Sequence, residues 1–356
     1  QSTFQRKVYS VQIDERELPG IAALGVPNYP SLAAIPEDID YVMTAVPRQI
    51  APRIVADCAA KKVSGVMLFT SGFSEIGDEE GKRLEQMMAD TARAANMALI
   101  GPNCMGLLNT DPSVHLNAPF SPIYPPAGGV AMSTQSGALG LAILDYARRL
   151  NIGISSFVSV GNKVDVSSND LIQYWADDPR TTVILLYLES FGNPKKFGEI
   201  ARRVGRMKPI VAVKAGRSKA GARAGSSHTG ALATDDTVVD ALFHQAGIIR
   251  TDTLEELFDV ASMLANQPLP RGRRVAILTN AGGPGILAAD VCEARGLDVA
   301  VVTEQTRSEL RSFLPRAASV DNPVDMLASA PAEHYRRALS ALVRGANVDS
   351  VLTIFI

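Results

Sequence analysis

The stretch AGSSHTGALA, residues 224–233, is nearly all small side chains around one titratable, nucleophilic group, His228. Residues of that size contribute little to a core, so the imidazole is what needs a reason. It follows the strand-like PIVAVK and the loop-like GRSKAGARAGSS, which sets it at a strand's C-terminal end, where open α/β sheets bind ligands. A histidine there can act as a base, a metal ligand or a nucleophile. Metal binding has little behind it, because no second His or Cys stands at ligand spacing. His115, His244 and His334 fall in an ordinary loop or on helical patterns. Glu189 closes the apolar run ILLYLES (184–190) at the same sheet edge. It could fix the imidazole tautomer by accepting a hydrogen bond from one ring nitrogen; it could equally cap the next segment. GNKVD (161–165) adds polar groups to that edge. Two further turns, STQSGALG (133–140) and TNAGGPGI (279–286), leave strand ends and open helices. Free N–H groups and glycines at such a turn suit an anion. Neither turn matches the Walker or the GxGxxG pattern.

The elements that must hold these groups read as alternating β and α. Strands are expected at 7–11, 41–46, 65–69, 97–101, 129–133, 154–159, 182–188, 209–214, 274–279, 298–302 and 350–356. Helical patterns lie between most of them, among them 50–61, 80–95, 139–150, 194–204 and 254–265. Continuous apolar strands alternating with helices indicate doubly wound parallel sheets. Pro- and Gly-rich SPIYPPAGG (121–129) and basic NQPLPRGRR (266–274) read as linkers and mark off 1–122, 123–267 and 268–356. The segments after these linkers align without a gap at an offset of 145, with Val130/Val275, Thr134/Thr279, Gly137/Gly282, Gly140/Gly285 and Asp145/Asp290 identical. That pattern favours duplication of one domain type.

Composition sets the class. The 356 residues are 46% hydrophobic and 20% charged, with a net charge of −2. That is a globular composition with no general attraction to nucleic acid or acidic membranes. No apolar run reaches membrane-span length, and Cys58, Cys104 and Cys292 lie far apart without a CxxC pair. A cytoplasmic enzyme without nucleic-acid or membrane partners is expected.

Together SHTGALA, SVGNKVDV, LLYLES, GPNCMG, LFTSGFSE, STQSGALG and NPVDM span nearly the whole chain. In this order they resemble the NDP-forming acyl-CoA synthetases of the succinyl-CoA synthetase superfamily. The resemblance implies an α/β chain: a Rossmann-like CoA-binding domain followed by two flavodoxin-like ligase domains. It implies the reaction acyl-CoA + NDP + phosphate ⇌ acid + CoA + NTP, through an acyl phosphate and a phosphohistidine. His228 would be the phosphorylated residue and Glu189 the group that orients it. An imidazole with a reference pKa of about 6.5 is available as the neutral nucleophile. Ser136 and Gly137, with Gly283 and Gly285, would cradle the phosphoryl group. CoA contacts map to Val46, Pro47, Thr70, Ser71 and Asn103, with Cys104 a packed thiol in a CoA-binding turn. The small neighbours of His228 are expected to let its loop swing between sites.

Some features depart from the family pattern. The first strand and its Gly-rich CoA turn have no counterpart, VQID (11–14) stands where VNPK is common, and the last ligase domain reads as incomplete. ADP or ATP with Mg2+ would bind an ATP-grasp domain or subunit outside this chain, and a homo-oligomer is expected from the family. A non-catalytic, CoA-sensing region of a protein lysine acyltransferase is the alternative, against which His228 argues. An NAD-dependent dehydrogenase leaves SHTGALA and the duplicated units unexplained. The acyl group is not written in the sequence.

Overall fold

In the computed structural model the apolar runs form parallel strands, and the chain divides into two compact units, Gln1–Gln267 and Pro268–Ile356. The structure describes residue 4 and residues 6–218, 220–221 and 235–356. His228 and its small neighbours lie outside the described residues.

The first unit opens with β1 (Ser10–Val11), α1 (Leu18–Ala23) and β2 (Asn28–Tyr29), the two strands pairing in parallel. Next come β3 (Tyr41–Thr44), α2 (Ala51–Ala60), β4 (Gly65–Leu68), α3 (Glu79–Ala94) and β5 (Ala98–Ile100), a parallel sheet in the order β3-β4-β5. Val55, Val66, Leu68, Leu84, Met88 and Leu99 close its core. Asp78 caps α3 by accepting the Gly81 N–H, and Glu79 and Glu80 follow in the first turn, where the positive end of the helix favours acids.

A second sheet of seven strands follows. Its members are β6 (Leu107–Asn109), β7 (Leu116–Asn117), β8 (Ala127–Thr134), β9 (Ile154–Ser159), β10 (Val183–Leu188), β11 (Ile210–Lys214) and β12 (Ile249–Thr251). The order is β12-β11-β10-β8-β9-β6-β7; β8 to β12 run parallel, while β6 is antiparallel to both β9 and β7. Helices α4 (Gly137–Arg149), α5 (Ser168–Asp177), α6 (Pro194–Val204), α7 (Asp236–Ala246) and α8 (Leu254–Asn266) cover it. Alternate residues of each strand feed the two faces. Ile184, Leu186 and Leu188 join Trp175, Phe197 and Phe243 on one side; Val183 and Leu185 join Leu144 and Phe258 on the other. The Pro/Gly stretch 121–129 does not separate compact units: both its flanks lie in the first, and its residues from Ala127 are strand. Strands β6 and β7, inside the segment read as 1–122, belong to the second sheet.

The second unit carries β13 (Arg274–Thr279), α9 (Gly282–Ala294), β14 (Asp298–Val299), α10 (Glu304–Arg311), β15 (Val324–Asp325), α11 (Ala332–Val343) and β16 (Ser350–Ile354). Strand β13 is central and pairs in parallel with β14, β15 and β16. The strand expected over 298–302 stops at Val299 because the Asn322 side chain takes over the edge. Its oxygen accepts the Ile277 N–H (2.8 Å), and its amide donates to the Val275 and Ala300 carbonyls (2.9 Å each).

The repeat seen in the sequence recurs in geometry. Helices α4 and α9 start and stop at positions exactly 145 apart. At the end of β8 the Thr134 hydroxyl accepts the Ser136 N–H (3.1 Å) and donates to the Ser136 carbonyl (3.0 Å). At the end of β13 Thr279 makes the same pair with Ala281, at 3.0 and 2.9 Å.

Candidate active site

The CoA residues proposed from the sequence collect at the C-terminal edge of the three-stranded sheet. The Thr70 hydroxyl donates to the Val46 carbonyl (2.6 Å), and the Asn103 N–H donates to the Thr70 carbonyl (2.9 Å). These bonds tie together the turns that follow β3, β4 and β5. Pro47 and Ser71 are exposed on the same rim. Asn103 has φ +57°, which turns the chain sharply at GPNC. Cys104 beside it is buried, its thiol donating to the Leu68 carbonyl at 3.2 Å, and burial pushes that thiol up to about 12. A thiol held so far from thiolate is packing, not a nucleophile.

The turn Gly161–Lys163 joins that edge to the second sheet. Gly161 has φ +54°, and a β-carbon there would stand 2.1 Å from the Pro102 carbonyl oxygen, so only glycine fits. Asn162 accepts from the Asn103 side-chain amide (3.3 Å) and donates to Glu75 and Glu85 (2.7 Å each).

Glu189 follows the last residue of β10 and is part-exposed. Gln135, buried between the end of β8 and the start of α4, holds its backbone. The Gln135 side-chain oxygen accepts the Glu189 and Ser190 N–H groups (2.7 and 2.8 Å), and its amide donates to the Ser190 carbonyl (2.6 Å). Lys163 donates to the same carbonyl (2.8 Å) and to the Ser190 hydroxyl. Burial lowers the Lys163 ammonium to about 8, Glu189 opposing the shift and Lys214 adding to it. Lys214, 6% exposed, is also lowered by burial, with Asp236 and Glu189 opposing. Burial and the neighbouring Glu189 raise the Tyr187 hydroxyl.

Ser136 caps α4, its hydroxyl accepting the Leu139 N–H at 3.4 Å. Gly137 is the first helical residue, and its N–H and that of Ala138 precede the helix's own ladder. In the second unit no side chain caps α9, since Ala281 holds that position. Gly283 lies in its first turn. Gly285, expected to contact phosphate, donates its N–H to the Ala281 carbonyl (3.3 Å). It also packs closely, since a β-carbon there would meet Thr279 Cγ2 at 3.0 Å.

An open cleft of about 680 Å3 lies at the C-terminal ends of β10 and β11, lined by Tyr187, Lys214, Arg217, Gly221, Asp236 and Asp252 among others. Gly221 and Asp236 stand on either side of the segment that contains His228. Arg217 pairs with Asp252 and with Asp236 (3.7 Å), and Arg250 binds Asp236 (2.5 Å) and Asp240 (3.2 Å). Both chain ends bordering the histidine segment are therefore tied to the sheet edge that carries Glu189. Sequence reading missed Gln135, Ser190 and Lys214.

Comparison with known proteins agrees with this layout. Residues 6–110 match a CoA binding domain, 127–264 the succinyl-CoA ligase like flavodoxin domain, and 275–355 a ligase-CoA domain. The chain is 43% identical to the ADP-forming acetate–CoA ligase II subunit alpha of Pyrococcus furiosus, over 98% of this chain and 74% of that one. It is 41% identical to the ADP-forming acetate–CoA ligase I of Archaeoglobus fulgidus, over 99% of this chain, and spans only 50% of that relative. A dinucleotide forming acetyl-coenzyme A synthetase 1 of Ca. Korarchaeum cryptofilum, solved with phosphate and ADP, superposes with a TM-score of 0.92 at 36% identity, covering 99% of this chain and 74% of that one. With its three domain types in this order and relatives of this identity along nearly its whole length, the chain belongs to the ADP-forming acyl-CoA synthetases of the succinyl-CoA synthetase superfamily.

Proposed function

We propose that this chain performs the acyl-phosphate and phosphohistidine steps of an ADP-forming acid–CoA ligase. In the energy-yielding direction a phosphate oxygen attacks the thioester carbonyl, the C–S bond breaks, and CoA leaves as its thiol with a proton from phosphate. One nitrogen of His228 then attacks phosphorus of the acyl phosphate, and the carboxylic acid departs as carboxylate. The other ring nitrogen donates to Glu189, which fixes the tautomer and balances the charge that develops on the ring. The α4 N-terminus at Ser136 and Gly137 binds the phosphoryl oxygens. Gly283, in the first turn of uncapped α9, offers a second anion-binding N–H. Val46, Pro47, Thr70, Ser71 and Asn103 receive CoA. ADP with Mg2+ takes the phosphoryl group on an ATP-grasp domain or subunit, within a homo-oligomer in the cytoplasm, where free thiols persist.

One observation carries this reading. Glu189 is held by its backbone beside the α4 N-terminus, on the edge where both flanks of the His228 segment are anchored. The test is to incubate the protein with radiolabelled phosphate and a panel of acetyl, branched-chain, aryl and dicarboxylyl CoA thioesters. Acid-labile, base-stable label on the wild type, lost in His228→Ala, is expected. Label that persists in His228→Ala assigns the nucleophile elsewhere; no label from any thioester favours a CoA-sensing role. Glu189→Gln is expected to slow labelling about 10- to 100-fold, the scale on which losing a histidine-orienting partner acts, with CoA affinity held within about twofold, measured by equilibrium binding.

A further inference from the structure

The GNK turn carries an ammonium that the reaction scheme above does not use. Lys163 Nζ donates to both the carbonyl and the hydroxyl of Ser190, the residue next to Glu189. An ammonium has three donors and no acceptor, and charge-assisted bonds are about twice as strong as neutral ones. The Ser190 carbonyl takes its second bond from Gln135, which also receives the Glu189 N–H. The Glu189–Ser190 backbone is thus gripped from the α4 side by a neutral amide and, one peptide further on, from the GNK side by a cation. Lys214 is a second ammonium nearby, but among the described residues its bond goes to the carbonyl of Ala215, the next residue in the chain, and not to Glu189 or Ser190. The turn itself is fixed, since the Asn162 N–H donates to the Pro102 carbonyl (2.9 Å) and the Lys163 N–H to that of Val160 (2.9 Å).

We propose that Lys163 is a positioning residue for phosphoryl transfer, its protonated amine locking the Ser190 carbonyl and through it the direction of Glu189. The proposal rests on the phosphohistidine reading given above. The ammonium makes both bonds charge-assisted, whereas the neutral amine keeps two N–H donors but makes bonds about half as strong. Among the described residues the charged groups facing Lys163 are Glu189 at the end of β10 and Lys214 at the end of β11. Glu189 favours the ammonium, while burial and Lys214 oppose it, and the balance places its titration near 8. The grip therefore loosens just above neutral pH.

The experiment follows single-turnover labelling of His228 from acetyl-CoA and radiolabelled phosphate against pH, in wild type, Lys163→Met and Lys163→Arg. If acetyl-CoA does not label the wild type, the thioester that labels it best replaces it. Wild-type rate should fall as the pH passes about 8. Lys163→Met should be slower by about 10- to 100-fold, the usual cost of a misplaced catalytic group, with no decline of its own near that pH. Lys163→Arg should recover part of the rate and move the alkaline decline upward, since a guanidinium stays protonated. CoA affinity should stay within about twofold in both variants, which also shows that they fold. Labelling of Lys163→Met at the wild-type rate, or an alkaline decline that Lys163→Arg leaves in place, overturns the inference alone. No label on the wild type from any thioester overturns the functional reading and the inference with it.

Discussion

Loss of solvent carries opposite consequences for the chemistry of two side chains. Cys104 and Lys163 both lose solvent, but the thiol becomes inert whereas the amine is brought close to neutrality. The native chain should leave Cys104 unmodified by iodoacetamide at pH 7.5, and Cys104→Ala should keep CoA-dependent labelling of His228, read by mass spectrometry and by label. The lysine has a thermodynamic signature as well. Its amine is lowered from 10.5 in the unfolded chain to about 8 in the fold. Between those values the unfolded state binds more protons, so this group's contribution to stability rises with pH across that window. Urea denaturation at pH 8 and pH 10.5 should show wild type gaining stability relative to Lys163→Met. An equal change in both chains would mean that the amine titrates normally. Holding this cation in place therefore costs the fold something at neutral pH, which fits a residue kept for function.

At the scale of elements, the sequence was most readable where one physical signal dominates. The continuous apolar run TVILLYL became β10 almost to the residue, as a strand buried on both faces should, and ISSFVS became β9 with its buried Ser155 and Ser156 hydroxyls bonded to Thr181 and Trp175. Short strands escaped notice. Val324–Asp325 has two residues and follows Asn322, whose side-chain bonds span 22 to 47 residues of sequence. Glu189 and the α4 N-terminus could be named from a strand end and a glycine-rich turn, whereas Gln135 and Ser190 could not. Their roles depend on a register between β8 and β10 that no local pattern encodes. Gly161 shows the same limit from the other side: it is one glycine among many in the sequence, but the structure presses it against Pro102. Gly161→Ala should destabilise the chain by about 2–4 kcal/mol, combining a positive-φ penalty with a backbone clash. Chemical denaturation would check this, and a change under about 0.5 kcal/mol would show that the turn can shift.

For the molecule as a whole, the joint between the units is the longest uninterrupted exposed stretch among the described residues. Residues 265–274 are exposed throughout, and Arg271, Arg273 and Arg274 stand in that stretch. Brief trypsin treatment should cut there first and give two fragments that resist further digestion; early cuts elsewhere would mean that the units are not separately compact. Within the first unit the division is of another kind. The seven-stranded sheet takes β6 and β7 from chain that comes directly after the CoA-side sheet, and β6 pairs with β9 through Leu107–Val158, Leu108–Phe157 and Asn109–Ser156. A shortened protein beginning at residue 123, as the Pro/Gly stretch invites, would strip β9 of that neighbour. It would leave an apolar strand with open N–H and C=O groups, ready to template contact between molecules. Such a fragment should come out of cells as inclusion bodies, whereas one beginning at residue 106 should stay dispersed.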